Sequence, residues 1–190
     1  MFFALLFRLK YINRWGLMKS FRTENLSEHS LEVAMIAHAL AEIGVVYFGK
    51  GYDPAKIALL ALYHDVSEIF TGDMPSPIKY YTEDMKKTYK SIEREAAKNL
   101  LGKLPEELQK NYADLIMPSE NPESPEYKIV KAADRLCAYI KCIEETSSGN
   151  REFITAEKEI YKTLDTHGLD ELKYFMDNFL PYFKNTIDEI

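Results

Sequence analysis

Residues 58–72 read Ala-Leu-Leu-Ala-Leu-Tyr-His-Asp-Val-Ser-Glu-Ile-Phe-Thr-Gly, so a histidine, an aspartate and a glutamate interrupt an apolar run. Residues 57–63 leave no polar face, a pattern typical of a helix packed on all sides. His64 and Asp65 would then lie in the middle of the fold, where a bound cation would neutralise them. Glu68 follows His64 by four residues, which on a helix places it on the same face at roughly 6 Å.

The ends of this helix carry residues with known positional preferences. Asp53 is a favourable N-cap, Pro54 suits the first helical position and Gly72 suits a C-terminal stop. The sequence therefore predicts one helix of about five turns, from 53 to 72.

Helical periodicity continues along the rest of the chain, without a period-2 strand pattern or an internal repeat. Because 46% of the 190 residues are hydrophobic, the chain can bury a sizeable core. We predict an all-α, single-domain helical bundle over residues 1–190, with C-terminal helices in 150–190 packing on the core. The other predicted features are helices over 2–12, 82–102, 105–115 and 125–145, a helix opening at the capping box Asn25–Glu28, non-helical residues 73–77 and 117–125, a helix ending near Gly168, and a last aromatic helix bent at Pro181.

The overall charge argues against two classes of partner. A net charge of −6 and a pI near 5.3 do not suit a general nucleic-acid or membrane-surface binder, which needs a broad basic face. Residues 1–23 nevertheless carry five basic residues and no acidic one. This segment could present a positive field to an anion, or it could be a solvated basic helix.

Cysteine usage and hydropathy indicate a cytoplasmic protein. Cys137 and Cys142 lie five apart on a predicted helix, so their side chains point to different sides and we expect reduced, buried thiols. The apolar start, residues 1–7, lacks the basic flank of a signal peptide. No stretch is expected to approach membrane-spanning length, so no membrane partner is predicted.

Two further polar residues lie on predicted core faces. His29 shares a helical face with Val33 and Leu40, whereas His38, nine residues later, projects to roughly the opposite side and is the poorer ligand candidate. Asp134 lies among apolar residues of the helix predicted over 125–145. Read singly, His29 is more often a hydrogen-bonded core histidine, and Asp134 could pair with Arg135 or Lys131.

Together, His29, His64, Asp65 and Asp134 come from three predicted helices, and a metal bound between helices of a bundle would explain all four. Imidazole and carboxylate donors without a thiolate suit Mn²⁺, Co²⁺, Fe²⁺ or Zn²⁺ with open positions for water and substrate oxygens. Such an ion lowers the pKa of bound water and polarises a phosphoryl oxygen, so the pattern indicates a hydrolase.

The order His29, His64-Asp65, Asp134 resembles the signature of the HD-domain phosphohydrolase superfamily. The chain more closely resembles the bacterial 5′-deoxynucleotidases of the YfbR type over residues 8–145, with a weaker likeness from there to the C-terminus. The matching stretches are Arg8–Trp15, Arg22–Ser30, Tyr63–Glu68, Thr71–Pro77 and Asp134–Glu145. Among these, Arg14-Trp15 and Asp73-Met-Pro-Ser76 point to this one family.

The resemblance implies hydrolysis of deoxyribonucleoside 5′-monophosphates by a homodimer, with one divalent metal, cobalt or manganese, on the four ligands. It also implies substrate contacts, with Ser76 in place of a threonine. The implied substrate-binding residues are Arg14, Trp15, His29, Asp65, Asp73, Met74, Pro75, Ser76 and Asp134. For Trp15 the alternative is plain core packing, and for Arg14 it is a surface pair with an acid.

Glu68 and Arg14 are our catalytic candidates, for proton transfer and for orienting the phosphate. Whether Glu68 acts as base or as acid stays open at this point. One alternative function is another HD phosphohydrolase that acts on a triphosphate or a phosphodiester. A second is a catalytically silent helical module that keeps a metal for stability. Glu68 argues against that module, because an extra acidic group beside the ligands suits acid–base chemistry better than a structural site.

Overall fold

The computed structural model describes residues 1–79, 81–117 and 124–189, and these residues form helices without a β-strand, which confirms the all-α prediction. Four short 3₁₀ segments lie at Leu9–Tyr11, Arg151–Phe153, Leu180–Lys184 and Ile187–Glu189. The α-helices are α1 (Phe2–Leu6), α2 (Leu26–Phe48), α3 (Pro54–Leu62), α4 (Glu68–Thr71), α5 (Ser76–Lys79), α6 (Glu83–Leu101), α7 (Glu106–Ile116), α8 (Pro125–Ser147), α9 (Ile154–Asp165) and α10 (Asp170–Asn178).

The long helix α2 is the centre of the fold, since it contacts α3, α8 and α10. The predicted capping box is present: the Asn25 side chain accepts from the backbone N–H groups of Ser27 and Glu28, and the Glu28 carboxylate accepts from the Asn25 N–H. These contacts satisfy backbone donors that a helix start leaves unpaired. By length and composition α2 could also cross a membrane, with a mean hydropathy of 1.6, so the expectation that no stretch approaches that length is wrong.

The single helix predicted over 53–72 is also wrong. Asp53 does cap a helix that starts at Pro54, but α3 ends at Leu62 and residues 63–67 form tight turns before α4 begins. In an α-helix the Ala61 carbonyl would accept only from the N–H of residue 65. Here it accepts from both the backbone N–H and the ring Nδ1 of His64, at 3.3 and 2.6 Å, and the chain tightens into i→i+3 turns. Nor is α3 packed on all sides, since Leu59 is 48% exposed.

Other boundaries differ less. The helix predicted over 2–12 is divided into α1 and the 3₁₀ turn Leu9–Tyr11. The proline-rich segment, predicted to be non-helical, contains the short helix α5. Thr82 and Ser124 cap α6 and α8 as predicted, whereas most of the loop predicted over 117–125 lies outside the described residues. After α10 the chain continues through Pro181 as a 3₁₀ turn.

Two apolar clusters meet beside the turn of residues 63–67. The larger one lies between α2, α3, α8 and the C-terminal helices, and Ala61 belongs to it. The smaller one joins α1, α6 and the end of α7, and Val66 belongs to that one. The turn that carries His64 and Asp65 therefore connects the two halves of the core, which fixes the position of its backbone.

Candidate active site

Three of the predicted ligands converge in the structure. His29 comes from the first turn of α2, His64 from the turn after α3 and Asp134 from the middle of α8, and one ligand atom of each lies within 4.8 Å of the others. His29 is fully buried, and its Nε2 lies 3.2 Å from Asp134 Oδ1. His64 and Asp134 follow His29 by 35 and 105 positions in the sequence, so only helix packing brings the three side chains together.

The fourth predicted ligand, Asp65, lies beside this group. Its Oδ2 is 3.0 Å from His64 Nε2 and 3.7 Å from His29 Nε2. The pKa of Asp65 lies well below its usual range, because the positive charge of the adjacent His64 outweighs the effect of burial. Asp65 therefore presents a carboxylate to the same space as the two imidazoles.

Both imidazoles are oriented by a contact on their other nitrogen. His64 Nδ1 faces the Ala61 carbonyl at 2.6 Å, and His29 Nδ1 faces Glu24 Oε1 at 3.2 Å. Each Nε2 is buried and has no hydrogen-bond partner among the described residues. An acceptor on Nδ1 favours the tautomer in which Nε2 has a free lone pair, the form that ligates a metal.

The donor set fits a divalent transition ion. Two imidazole Nε2 atoms and two carboxylates converge, and buried polar atoms without partners among the described residues call for a ligand of this kind. Burial lowers the pKa of His64, but the negative charges of Asp65 and Asp134 raise it to about 10, so a cation would take the place of a proton on this ring. At the rim, Lys131 Nζ lies 3.4 Å from Asp134 Oδ2.

Glu68, at the start of α4, is 5% exposed, and its Oε2 has no hydrogen-bond partner among the described residues. Burial, reinforced by the charges of Asp65 and Asp73, raises the pKa of this carboxyl to about 9. The helix predicted to carry both His64 and Glu68 on one face ends at Leu62. The tight turn of residues 63–67, and not helical periodicity, therefore sets the distance between the two side chains. A bound cation would oppose this repulsion and lower the pKa of Glu68 again, which would make the proton easier to transfer.

Arg14 reaches the cluster from the loop of residues 13–25, as predicted for a loop residue. Its Nε lies 3.2 Å from Glu24 Oε1 and one terminal nitrogen lies 3.8 Å from Asp65 Oδ2. The side chain is only 12% exposed, so it is not the surface arginine of the alternative interpretation. Its guanidinium places a positive charge next to the carboxylates of Glu24 and Asp65.

Trp15 is held by polar contacts as well as by packing. Its indole N–H donates to Glu24 Oε2 at 2.7 Å, and its backbone N–H donates to Asp73 Oδ2 at 3.3 Å. The ring lies 5.2 Å from that of the buried Phe153. Its φ of 61° is rare for a bulky residue and is maintained only where surrounding contacts fix it. Packing against Phe153 and hydrogen bonds to Glu24 and Asp73 therefore both fix the position of Trp15.

Within the segment Asp73–Ser76, Asp73 is the residue that contacts the site. Asp73 joins Trp15 to this segment, 58 positions away in sequence. Met74 and Pro75 are partly buried, whereas Ser76 is exposed and begins α5. Substrate contact by these three residues stays a prediction.

Sequence reasoning missed Glu24, which is 7% exposed and touches Arg14, Trp15 and His29. One signal was available, since Glu24 is the first acidic residue after 23 residues without one. Two other expectations, for His38 and for the cysteines, agree with the structure. His38 is exposed and lies 3.7 Å from Glu42, and Cys137 and Cys142 are buried free thiols.

Comparisons with known proteins place the chain among its relatives. The profile of a family described as 5′-deoxynucleotidase YfbR-like matches residues 1–183. A 5′-deoxynucleotidase of Erwinia tasmaniensis is 53% identical over 189 residues, covering 100% of this chain and 95% of the relative. The 5′-deoxynucleotidase YfbR of Escherichia coli O127:H6 is 52% identical over 190 residues, covering 100% and 94%.

Two solved structures share the fold. An HD-domain phosphohydrolase from Listeria innocua superimposes with a TM-score of 0.84 at 25% identity, covering 96% of this chain and 87% of that one. The HD phosphohydrolase DatZ of cyanophage S-2L, solved with dA and one catalytic Zn²⁺, gives a TM-score of 0.66 at 21% identity, covering 96% of both chains.

Proposed function

The chain belongs to the YfbR-like family of 5′-deoxynucleotidases, which are phosphoric monoester hydrolases, and we propose that it converts deoxyribonucleoside 5′-monophosphates to deoxynucleosides and phosphate. The observation that carries the proposal is the convergence of two carboxylates with two imidazole Nε2 atoms that have no hydrogen-bond partner in the described part of the chain. We further propose that His29, His64, Asp65 and Asp134 hold one divalent ion.

The proposed ion is Mn²⁺ or Co²⁺. Mixed imidazole and carboxylate ligands suit either ion, and Mg²⁺ is a poorer match for two nitrogen donors. When bound, such an ion lowers the pKa of a water molecule and polarises a phosphoryl oxygen.

Proton transfer is assigned to Glu68. The carboxyl is buried next to the ligands, and its raised pKa keeps a proton available near neutral pH. This supports donation to the departing O5′ of the deoxynucleoside, which leaves as an alkoxide unless it is protonated. A Glu68 that has given up this proton can then take one from water.

Substrate orientation is assigned to the 13–25 loop and to the segment that follows α4. The Arg14 guanidinium, aimed into the acidic group, offers paired N–H donors to the phosphate. Trp15, fixed at φ 61°, forms a rigid wall at the sugar edge, where a 2′-hydroxyl would need extra room. Asp73, Met74, Pro75 and Ser76 complete the proposed pocket, with Asp73 tied to the Trp15 backbone.

We also propose a cytoplasmic homodimer that binds neither nucleic acid nor a membrane surface. The acidic net charge of −6 supports the second part. Exposed apolar side chains on α2 and α3, among them Met35 at 60% and Leu59 at 48%, support a self-contact. Light scattering coupled to size-exclusion chromatography measures the mass directly.

The test of the function is a screen of ribo- and deoxyribonucleoside 5′-monophosphates, with a nucleoside triphosphate and a phosphodiester for comparison, against Mn²⁺, Co²⁺, Zn²⁺ and Mg²⁺, with chromatography of the products and phosphate release as the readouts. We expect release from the deoxy substrates with Mn²⁺ or Co²⁺, and none after chelation. Hydrolysis only of triphosphates or phosphodiesters would replace the proposed substrate class. Metal binding without hydrolysis of any of these compounds would indicate a silent metal-binding module.

A further inference from the structure

Glu24 has three partners around one buried carboxylate. Its Oε2 accepts from the Trp15 indole N–H at 2.7 Å, and its Oε1 faces both Arg14 Nε and His29 Nδ1 at 3.2 Å. Both nitrogens are buried, and neither makes an aligned hydrogen bond within the described part of the chain, so these two contacts are ion-pair contacts. Both oxygens of Glu24 are therefore engaged, and the negative charge is shared among three groups of the site.

The backbone places this carboxylate at the base of the 13–25 loop. The Arg14 N–H donates to the Glu24 carbonyl at 2.9 Å, and the Leu26 N–H donates to the Ile12 carbonyl at 3.0 Å. Helix α2 starts two residues after Glu24 and carries His29 in its first turn. Glu24 thus sits where the loop that bears Arg14 and Trp15 joins the helix that bears a proposed metal ligand.

We propose that Glu24 is a positioning residue that couples the metal ligand His29 to the Arg14–Trp15 loop, an inference that rests on the proposed function. On His29 it favours the tautomer that carries its proton on Nδ1, which leaves the lone pair of Nε2 free on the side of Asp134. On the loop it fixes the indole and the guanidinium. Metal affinity and the choice between deoxyribose and ribose then depend on the same carboxylate.

Two substitutions separate position from charge. Glu24→Gln keeps the shape but replaces one acceptor oxygen by an NH₂ donor, so it cannot accept from Trp15 and from His29 together. Glu24→Asp keeps the charge but withdraws both oxygens by one methylene. The matched control is Glu171→Gln, which changes another fully buried carboxylate that accepts from the Tyr52 hydroxyl at 2.7 Å.

Three readouts are measured on the full chain. Mn²⁺ affinity is taken from the electron paramagnetic resonance signal of free Mn²⁺, and the indole environment from fluorescence of the metal-free protein, in which Trp15 is the single tryptophan. The third is the ratio of kcat/KM for dAMP over AMP. We expect both Glu24 variants to bind Mn²⁺ about 10- to 100-fold more weakly, to shift the Trp15 emission and to lower the ratio. Glu171→Gln should change none of them.

Two outcomes would overturn the inference. If Glu24→Asp matched the wild type in all three readouts, charge alone would suffice and position would not matter. If Glu24→Gln were folded by circular dichroism and kept wild-type Mn²⁺ affinity and emission, Glu24 would be a packing residue; should that variant fail to fold, Glu24→Asp decides. A wild type that releases no phosphate from dAMP would refute the proposed function, while the Mn²⁺ and fluorescence readouts would still test Glu24.

Discussion

Substitution of Glu145 should loosen the loop that leads to the active site, and the effect should depend on pH. The Glu145 side chain on α8 is 2% exposed. Its carboxylate accepts from the backbone N–H groups of Phe21 and Arg22 at 2.9 and 3.2 Å. It also accepts from Lys141 Nζ at 2.5 Å and Asn150 Nδ2 at 2.7 Å. The bonds from Phe21 and Arg22 fasten the part of the 13–25 loop between Trp15 and Glu24 to α8, and those from Lys141 and Asn150 hold the carboxylate in place.

The size of the effect follows from the pKa. Burial opposes ionisation, but the hydrogen bonds from Lys141, Phe21, Asn150 and Arg22 lower the pKa of Glu145 from 4.5 to about 2. A difference of this size corresponds to about 3 kcal/mol of stability at full effect. We expect about 1 to 2 kcal/mol, because water screens the carboxylate once the loop opens. For a chain of this length this lowers Tm by about 2 to 8 °C.

The sign of the pH dependence is fixed. Since the folded-state pKa is below the unfolded one, the stabilisation is complete above about pH 4.5 and disappears as the pH falls towards 2. Glu145→Gln resembles the protonated carboxyl, with one acceptor and one donor end. The variant should therefore be less stable than the wild type at pH 7, and the difference should shrink as the pH falls from 4.5 towards 2.

The assay is urea unfolding at pH 7, 5, 4 and 3, with chelator present so that metal binding does not contribute. Glu144→Gln is the control, because the neighbouring side chain is exposed and the same charge is removed. A difference between Glu145→Gln and the wild type that is as large at pH 3 as at pH 7 would refute the reasoning. So would equal stability at pH 7.

Four further predictions concern the site itself. His64→Ala or Asp134→Ala should abolish both metal content and turnover, measured by elemental analysis and phosphate release; an active metal-free mutant would contradict the proposed ligand set. Glu68→Gln should retain metal and lose at least ~10²-fold in kcat, in the range usual for a general acid or base, and a near-normal rate at saturating substrate would reject that role. Arg14→Lys should recover little of the kcat/KM lost in Arg14→Ala if paired N–H donors orient the phosphate, whereas full recovery would mean that charge suffices. Trp15→Ala should narrow the deoxyribo-to-ribo ratio of kcat/KM chiefly by admitting the ribonucleotide, and an unchanged ratio in a folded, metal-replete mutant would return Trp15 to a packing role.

Local features of the chain predicted much of the fold. The capping box at Asn25, the N-caps Asp53, Thr82 and Ser124, and the helical spacing of apolar residues depend on neighbours a few positions away, so the sequence suffices for them. The candidate ligands His29, His64 and Asp134 were visible for a similar reason. A polar residue among apolar ones must be satisfied once it is buried, whatever the fold.

Packing decided what those local signals could not. The sequence of residues 53–72 reads as one helix, but His64 donates its ring N–H to the Ala61 carbonyl and the chain turns there. That bond forms because the ring is oriented with its second nitrogen, Nε2, towards Asp65 and towards Asp134 on α8. Glu24 was missed for the same reason, since its partners Arg14 and Trp15 lie in a loop and its partner His29 lies on a helix. Local propensity acts between near neighbours in the chain, whereas the direction of a buried polar atom is set by partners that only the tertiary structure brings within reach.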